Sequence, residues 1–175
     1  GLDGADSILV DGPPGVSVSG VKAAGRDQIE ATFQIAADAV PGRRMVRVKG
    51  GRMGLTNFRW FFVGPLPEHV EKEKNNSPET AETVSQPVVT NGRISPVLDQ
   101  DCFRFKAKKG ENLVLAVLSH WMDSNGYGRT EAGFSDTTLE LLDETGRVLA
   151  ESGDVLGYDP LIEHRIPADG WYCLL

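Results

Sequence analysis

Apolar and polar residues alternate with a period of two in short runs along most of the chain, and the three-to-four spacing of an amphipathic helix is almost absent. Residues 15–21 set Val16 and Val18 between Ser17 and Ser19, and residues 28–35 carry Ile29, Ala31, Phe33 and Ile35 at every second position. Residues 45–49 place Val46 and Val48 on one face, with Arg47 and Lys49 on the other. Successive side chains of a strand point to opposite faces, so each run reads as a half-buried strand. Turn clusters at 11–15, 41–42 and 50–54 separate the runs, and an aromatic stretch at 58–63 closes the series. Short strands at such intervals predict an all-β fold of the sandwich type.

Pro65-Leu66-Pro67 interrupts this pattern, and residues 68–85 are polar without alternation. Strand signals resume at 88–94, 102–107, 112–118, 138–142, 148–150, 162–166 and 171–175. Two tandem β-sandwich modules are therefore expected, at 1–64 and 81–175, with a linker at 65–80. Asp143-Glu144-Thr145-Gly146 lies between apolar runs and reads as a hairpin turn, since glycine accepts the positive φ such turns need. Residues 119–136 form a long polar and aromatic insertion, a length usual for functional loops. The final run, 171–175, alternates like a central strand up to the last residue. The second module is thus expected to be cut short, with an unpaired edge that invites association between copies.

The 175 residues carry a formal charge of −7, unevenly distributed. Up to Gly64 eight Lys and Arg face six Asp and Glu, whereas ten face nineteen from Pro65 onward. An acidic second half disfavours nucleic acid and suits divalent cations. No apolar run approaches the roughly 20 residues of a membrane span, and no leader pattern opens the sequence. Cys102 and Cys173 match no zinc or redox motif and are either two thiols or one disulfide. With Phe103, Phe105, Tyr172 and Leu174 directed inward, alternation turns both cysteines to the face away from the core.

Chemistry concentrates where the linker meets the second module. Glu71, Glu73 and Asn75 stand at i, i+2 and i+4, and Asp99-Gln100-Asp101 precedes a strand. Calcium takes six to eight oxygens, and alternate side chains of an extended segment can converge on one ion. A solvated charge run is the other reading of the same residues.

The stretches EKEKNNSPETAETVSQPVVTNGRI, DQDCFRFKAKKGENLVLAV, LELLDETGRVLAESGD and IPADGWYCLL, in that order, resemble the bacterial pre-peptidase C-terminal domain. That domain is similar in turn to the collagen-binding domain of clostridial collagenases. The resemblance covers about residues 68–175. It implies a jelly-roll-like β-sandwich, a non-catalytic module appended to secreted peptidases and other large exported proteins. It also implies a calcium site made by Glu71, Glu73, Asn75, Asp99 and Asp101, although Lys74 stands where the family usually has Pro and Lys72 adds a second cation. Residues 1–64 resemble the immunoglobulin-like TIG modules of secreted bacterial proteins, through the run from Ile29 to Pro41-Gly42 and the following Arg44-Met45-Val46-Arg47-Val48. A spacer or packing role is implied, with an extracellular or cell-surface location and a catalytic domain of the parent protein as partner.

His69, His120 and His164 are accompanied by no nucleophile elbow, zinc-protease or phosphate-loop motif, and Ser119, His120 and Asp123 are too close in sequence to assemble a triad. No enzyme is expected in this stretch. Trp121, Tyr127 and Phe134 in the insertion offer rings for stacking on an extracellular polysaccharide or protein, or else they cap the sandwich. Arg43, Arg44, Arg47, Lys49, Arg52 and Arg59 read as the solvent face of strands, or else as a patch for an anionic polysaccharide or, more economically, for the acidic second module. A collagen role is not expected, because Cys173 follows Tyr172 where the collagenase module has consecutive tyrosines. The sequence thus reads as a non-catalytic accessory region that supports secretion, folding, spacing or docking of a catalytic part elsewhere. The alternative is an adhesive module acting through the 121–134 insertion.

Overall fold

The alternating runs fold as strands in the computed structural model, which describes residues 2, 4–51, 54–94, 99–122 and 136–175. Among the described residues the protein is all-β, with fourteen strands and no helix. Among the described residues two compact units emerge, one built on residues 2–65 and the other on residues 66–121 and 136–175.

The first unit contains β1 (Ala5–Asp11), β2 (Val16–Ala23), β3 (Ile29–Ile35), β4 (Gly42–Gly50) and β5 (Arg59–Val63). Strands β1, β4 and β5 form one antiparallel sheet in that order, and β2 pairs with β3 in a second. Phe33 of β3 meets Phe61 of β5 with ring centroids 5.0 Å apart, so one ring from each sheet joins the two layers. The turn between β1 and β2 needs glycine at position 15. Its φ is +98°, and a Cβ there would lie 2.4 Å from the Ala39 Cα.

The basic residues of β4 do not share one environment. Arg44 is 0% exposed. Its Nε donates to the Pro13 carbonyl at 3.0 Å and its Nη1 to Gly42 at 3.0 Å, while Nη2 donates to Pro14 at 2.9 Å and Val40 at 2.7 Å. Assignment of Arg44 to the solvent face is therefore corrected: the side chain is an internal tie between the β1–β2 turn and the entry to β4. Arg43 stacks over Trp60, and Arg47 lies over the Phe58 ring. Arg52 lies outside the described residues.

The second unit contains β6 (Glu68–Val70), β7 (Glu82–Thr83), β8 (Val89–Asn91), β9 (Phe103–Ala107), β10 (Asn112–Ala116), β11 (Leu139–Asp143), β12 (Val148–Ser152), β13 (Leu161–Arg165) and β14 (Gly170–Leu174). Its main sheet has the order β12-β11-β14-β9-β7, and β10 pairs with β13. Phe105, Ala107, Leu139, Leu141 and Tyr172 from the main sheet bury against Ile162, Ile166, Leu113 and Leu115 from the other. This is the core of a sandwich. The β11–β12 hairpin turns at Gly146, φ +82°, and Asp143 Oδ1 accepts the N–H groups of Thr145 and Arg147 and the Thr145 hydroxyl.

β14 is a central strand with β11 and β9 on its two sides, as the alternation of 171–175 predicts. Two features differ from expectation. The polar stretch 68–85 contains β6 and β7, which pair in parallel with β8 and β9. Strands of three and two residues are too short to display a period of two. Cys102 and Cys173 do lie on the face opposite the main core, but that face is covered there. With Leu142, Ala81 and Leu175 they form a second, small cluster.

Candidate functional site

The acidic residues gather where β6 gives way to the strandless stretch before β7. The parallel pairing of β6 with β8 continues one residue further, as the Glu71 N–H donates to the Asn91 carbonyl at 3.1 Å. The Glu71 carboxylate then folds over residues 92–93, where its Oε1 accepts the Arg93 N–H. Gly92 makes room for it: a Cβ at that position would stand 2.7 Å from Glu71 Oε2.

Beyond Glu71 the Lys72 N–H donates to Glu82 Oε2 at 3.0 Å. Lys74 takes a positive φ of 79°, and both Lys72 and Lys74 are exposed. A left-handed residue redirects the chain, and the next side chain, Asn75, is 1% exposed. The Asn75 carbonyl accepts the Cys102 N–H at 2.8 Å, which fastens this turn to the residue after Asp101. Asn76 Nδ2 donates to Asp99 Oδ1 at 2.6 Å from the same side.

Carboxylate oxygens of Glu73, Asp99 and Asp101 consequently lie within 4.8 Å of one another and could hold a metal ion. Burial of Asp101, and then the charges of Glu71, Asp99 and Glu73 together with a hydrogen bond to Glu71, push its carboxyl up to about 6. Several oxygens of the group are buried without a hydrogen-bond partner: Glu71 Oε2, Asp101 Oδ1 and Asn75 Oδ1, along with Asn75 Nδ2. Buried polar atoms are nearly always satisfied in folded proteins, and oxygens crowded together in this way could be satisfied by a cation. The donor set consists wholly of hard oxygens, which suits calcium or magnesium and not the soft, sulfur-loving metals.

The rings assigned to ligand binding are only partly described. Trp121 is 36% exposed, while Tyr127 and Phe134 lie outside the described residues. Trp121 is positioned by Asp159, a buried carboxylate that sequence reasoning missed. Its Oδ1 accepts the N–H groups of Ser119 at 3.0 Å and His120 at 2.7 Å, and its Oδ2 accepts that of Trp121 at 2.8 Å. The histidines lie apart: His69 on β6 is 2.9 Å from Glu82, His120 packs edge-on against Tyr158, and His164 sits on β13.

No family model matches the chain. A probable subtilase-type serine protease of Deinococcus radiodurans is 38% identical to it over 77 residues. The similar stretch is 43% of this chain and 9% of that protein, so the chain corresponds to a small part of the relative. Among the described residues no helix is long and apolar enough to cross a membrane.

Proposed function

We propose that the chain is a non-catalytic accessory region of a larger exported bacterial protein, and that its second unit is a calcium-binding module of the pre-peptidase C-terminal type. The observation that carries the calcium reading is the meeting of Glu73, Asp99 and Asp101 within 4.8 Å, beside the unpartnered buried oxygens of Glu71, Asp101 and Asn75. Glu71, Glu73, Asn75, Asp99 and Asp101 would hold the ion, which would supply positive charge and oxygen coordination without taking part in a reaction. Its role is structural. Residues 71–75 approach the chain ahead of β9 largely through negative groups, and a divalent cation turns that repulsion into a tie.

The partial similarity to a subtilase-type protease supports a parent protein whose catalytic part lies elsewhere. The first unit, with its two small sheets, fits a spacer ahead of the module. Together they would support folding, export or docking at the cell surface or outside the cell.

Calcium titration by calorimetry, paired with melting curves in calcium and in chelator, tests this reading. An ion that binds only the folded state stabilises it by about 2.7 kcal/mol at one hundred times Kd. A higher melting temperature in millimolar calcium, lost in Asp101→Asn, is expected. An unchanged melting temperature and no binding heat would sink it.

A further inference from the structure

Cys102 and Cys173 are separated by most of the second unit in sequence and brought together by its sheet. β9 and β14 are antiparallel with Phe103 opposite Leu174 and Arg104 opposite Cys173. Cys102, one residue ahead of β9, therefore falls on the same face as Cys173 and diagonal to it. The two Sγ atoms are 2.7 Å apart, with Cys102 0% and Cys173 6% exposed. Leu142, Ala81 and Leu175 enclose them. Among the described residues the candidate metal-ligand group contains only carboxylates, so the thiols do not belong to it.

We infer that Cys102 and Cys173 form an intramolecular disulfide as the chain folds under oxidising conditions, and that this bond holds the second unit together. The inference goes beyond the calcium reading and does not depend on it. Both sulfurs are sealed from solvent in the folded state, so the bond is made while the sheet closes and is then shielded from reductants. A small disulfide such as oxidised glutathione serves as the oxidant. The thiolate of one cysteine attacks a glutathione sulfur, forming a mixed disulfide and expelling one glutathione thiolate. The second cysteine thiolate then attacks the protein sulfur of that mixed disulfide, closing the Cys102–Cys173 bond and expelling the second glutathione thiolate. The two protons lost by the cysteines end on the two glutathione thiolates, and two electrons pass from the protein thiols to glutathione.

The test refolds the reduced, denatured full chain in a glutathione redox buffer containing chelator, which keeps the cation site out of the readout. The protein is then quenched with an alkylating reagent, unfolded and analysed by mass spectrometry. Expected are no alkylated cysteines, a mass lower by two hydrogens, a monomer, and a proteolytic peptide joining Cys102 to Cys173. Protein reduced while unfolded and refolded under reductant should melt about 10 °C lower in this unit than the oxidised protein, because the bond closes a long loop. The C102S/C173S double variant should melt like the reduced protein and ignore reductant. Two alkylated thiols, glutathione adducts or disulfide-linked dimers overturn the inference, as does a melting temperature indifferent to reduction. Should the double variant fail to fold, the thiol count of the unaltered chain decides.

Discussion

At the scale of single residues, charge buried without an opposite charge organises this protein. Asp101 illustrates the consequence for pH. Its carboxyl is raised from 3.8 to about 6, so between these values the folded state holds a proton that the unfolded state releases. Stability without a cation therefore falls as pH rises through that window, and the loss is complete above it. A bound cation needs the ionised carboxylate, so its affinity should climb over the same range. In chelator the second unit should melt higher at pH 5 than at pH 7.5, and in saturating calcium this difference should shrink or reverse. In Asp101→Asn the Asp101 contribution to the pH dependence in chelator should vanish, together with the response to calcium. Arg44 gives the complementary prediction. Its guanidinium donates to four carbonyls, and Arg44→Leu removes all four charge-assisted hydrogen bonds at once. With hydrogen bonds to charged groups contributing roughly 1.5–3 kcal/mol each where they are buried and less at part-exposed carbonyls, the first unit should lose on the order of 3 kcal/mol in denaturant titration. A Lys at this position has three donors on one atom and cannot span the same fork, so Arg44→Lys should recover only part of the loss.

At the scale of elements, strands long enough to alternate were legible, and the shortest ones were not. Val16–Ala23, Ile29–Ile35 and Phe103–Ala107 show their facing directly in the order of residues. β6 and β7 owe their existence to parallel partners distant in sequence, for which local pattern holds no signal. The same division applies to the acidic group. Its spacing of Glu71, Glu73 and Asn75 is visible in the sequence, but the closeness of residues 71–75 to 99–101 depends on β6 lying beside β8 and on the Asn75 to Cys102 hydrogen bond. Arg44 and Asp159 were missed because buried ions satisfied by backbone groups look like any surface charge in one dimension. Gly92 was missed as well, since its value lies in a missing Cβ. Gly92→Ala should push the Glu71 carboxylate aside and weaken calcium binding about tenfold by calorimetry, while melting in chelator shifts little.

At the scale of the whole molecule, the main sheet of the second unit is assembled out of sequence order. Its middle strand, β14, pairs with β9 and β11, which precede it by tens of residues. Removing residues 170–175 should leave β9 and β11 without a common neighbour and expose Phe105 and Leu141, whose faces β14 and Tyr172 help to bury. Such a shortened chain is expected to lose the near-ultraviolet signal of the unit and to be cut rapidly by protease, while the first unit, built on Gly1–Pro65, resists. This arrangement also sets a clock. A ribosome delivers residues from the amino end at about 5–20 per second, so β9 and β11 must wait several seconds, unpaired with each other, until β14 emerges between them. The sheet of this unit therefore closes only late in synthesis, when its last strand arrives to join the two that waited.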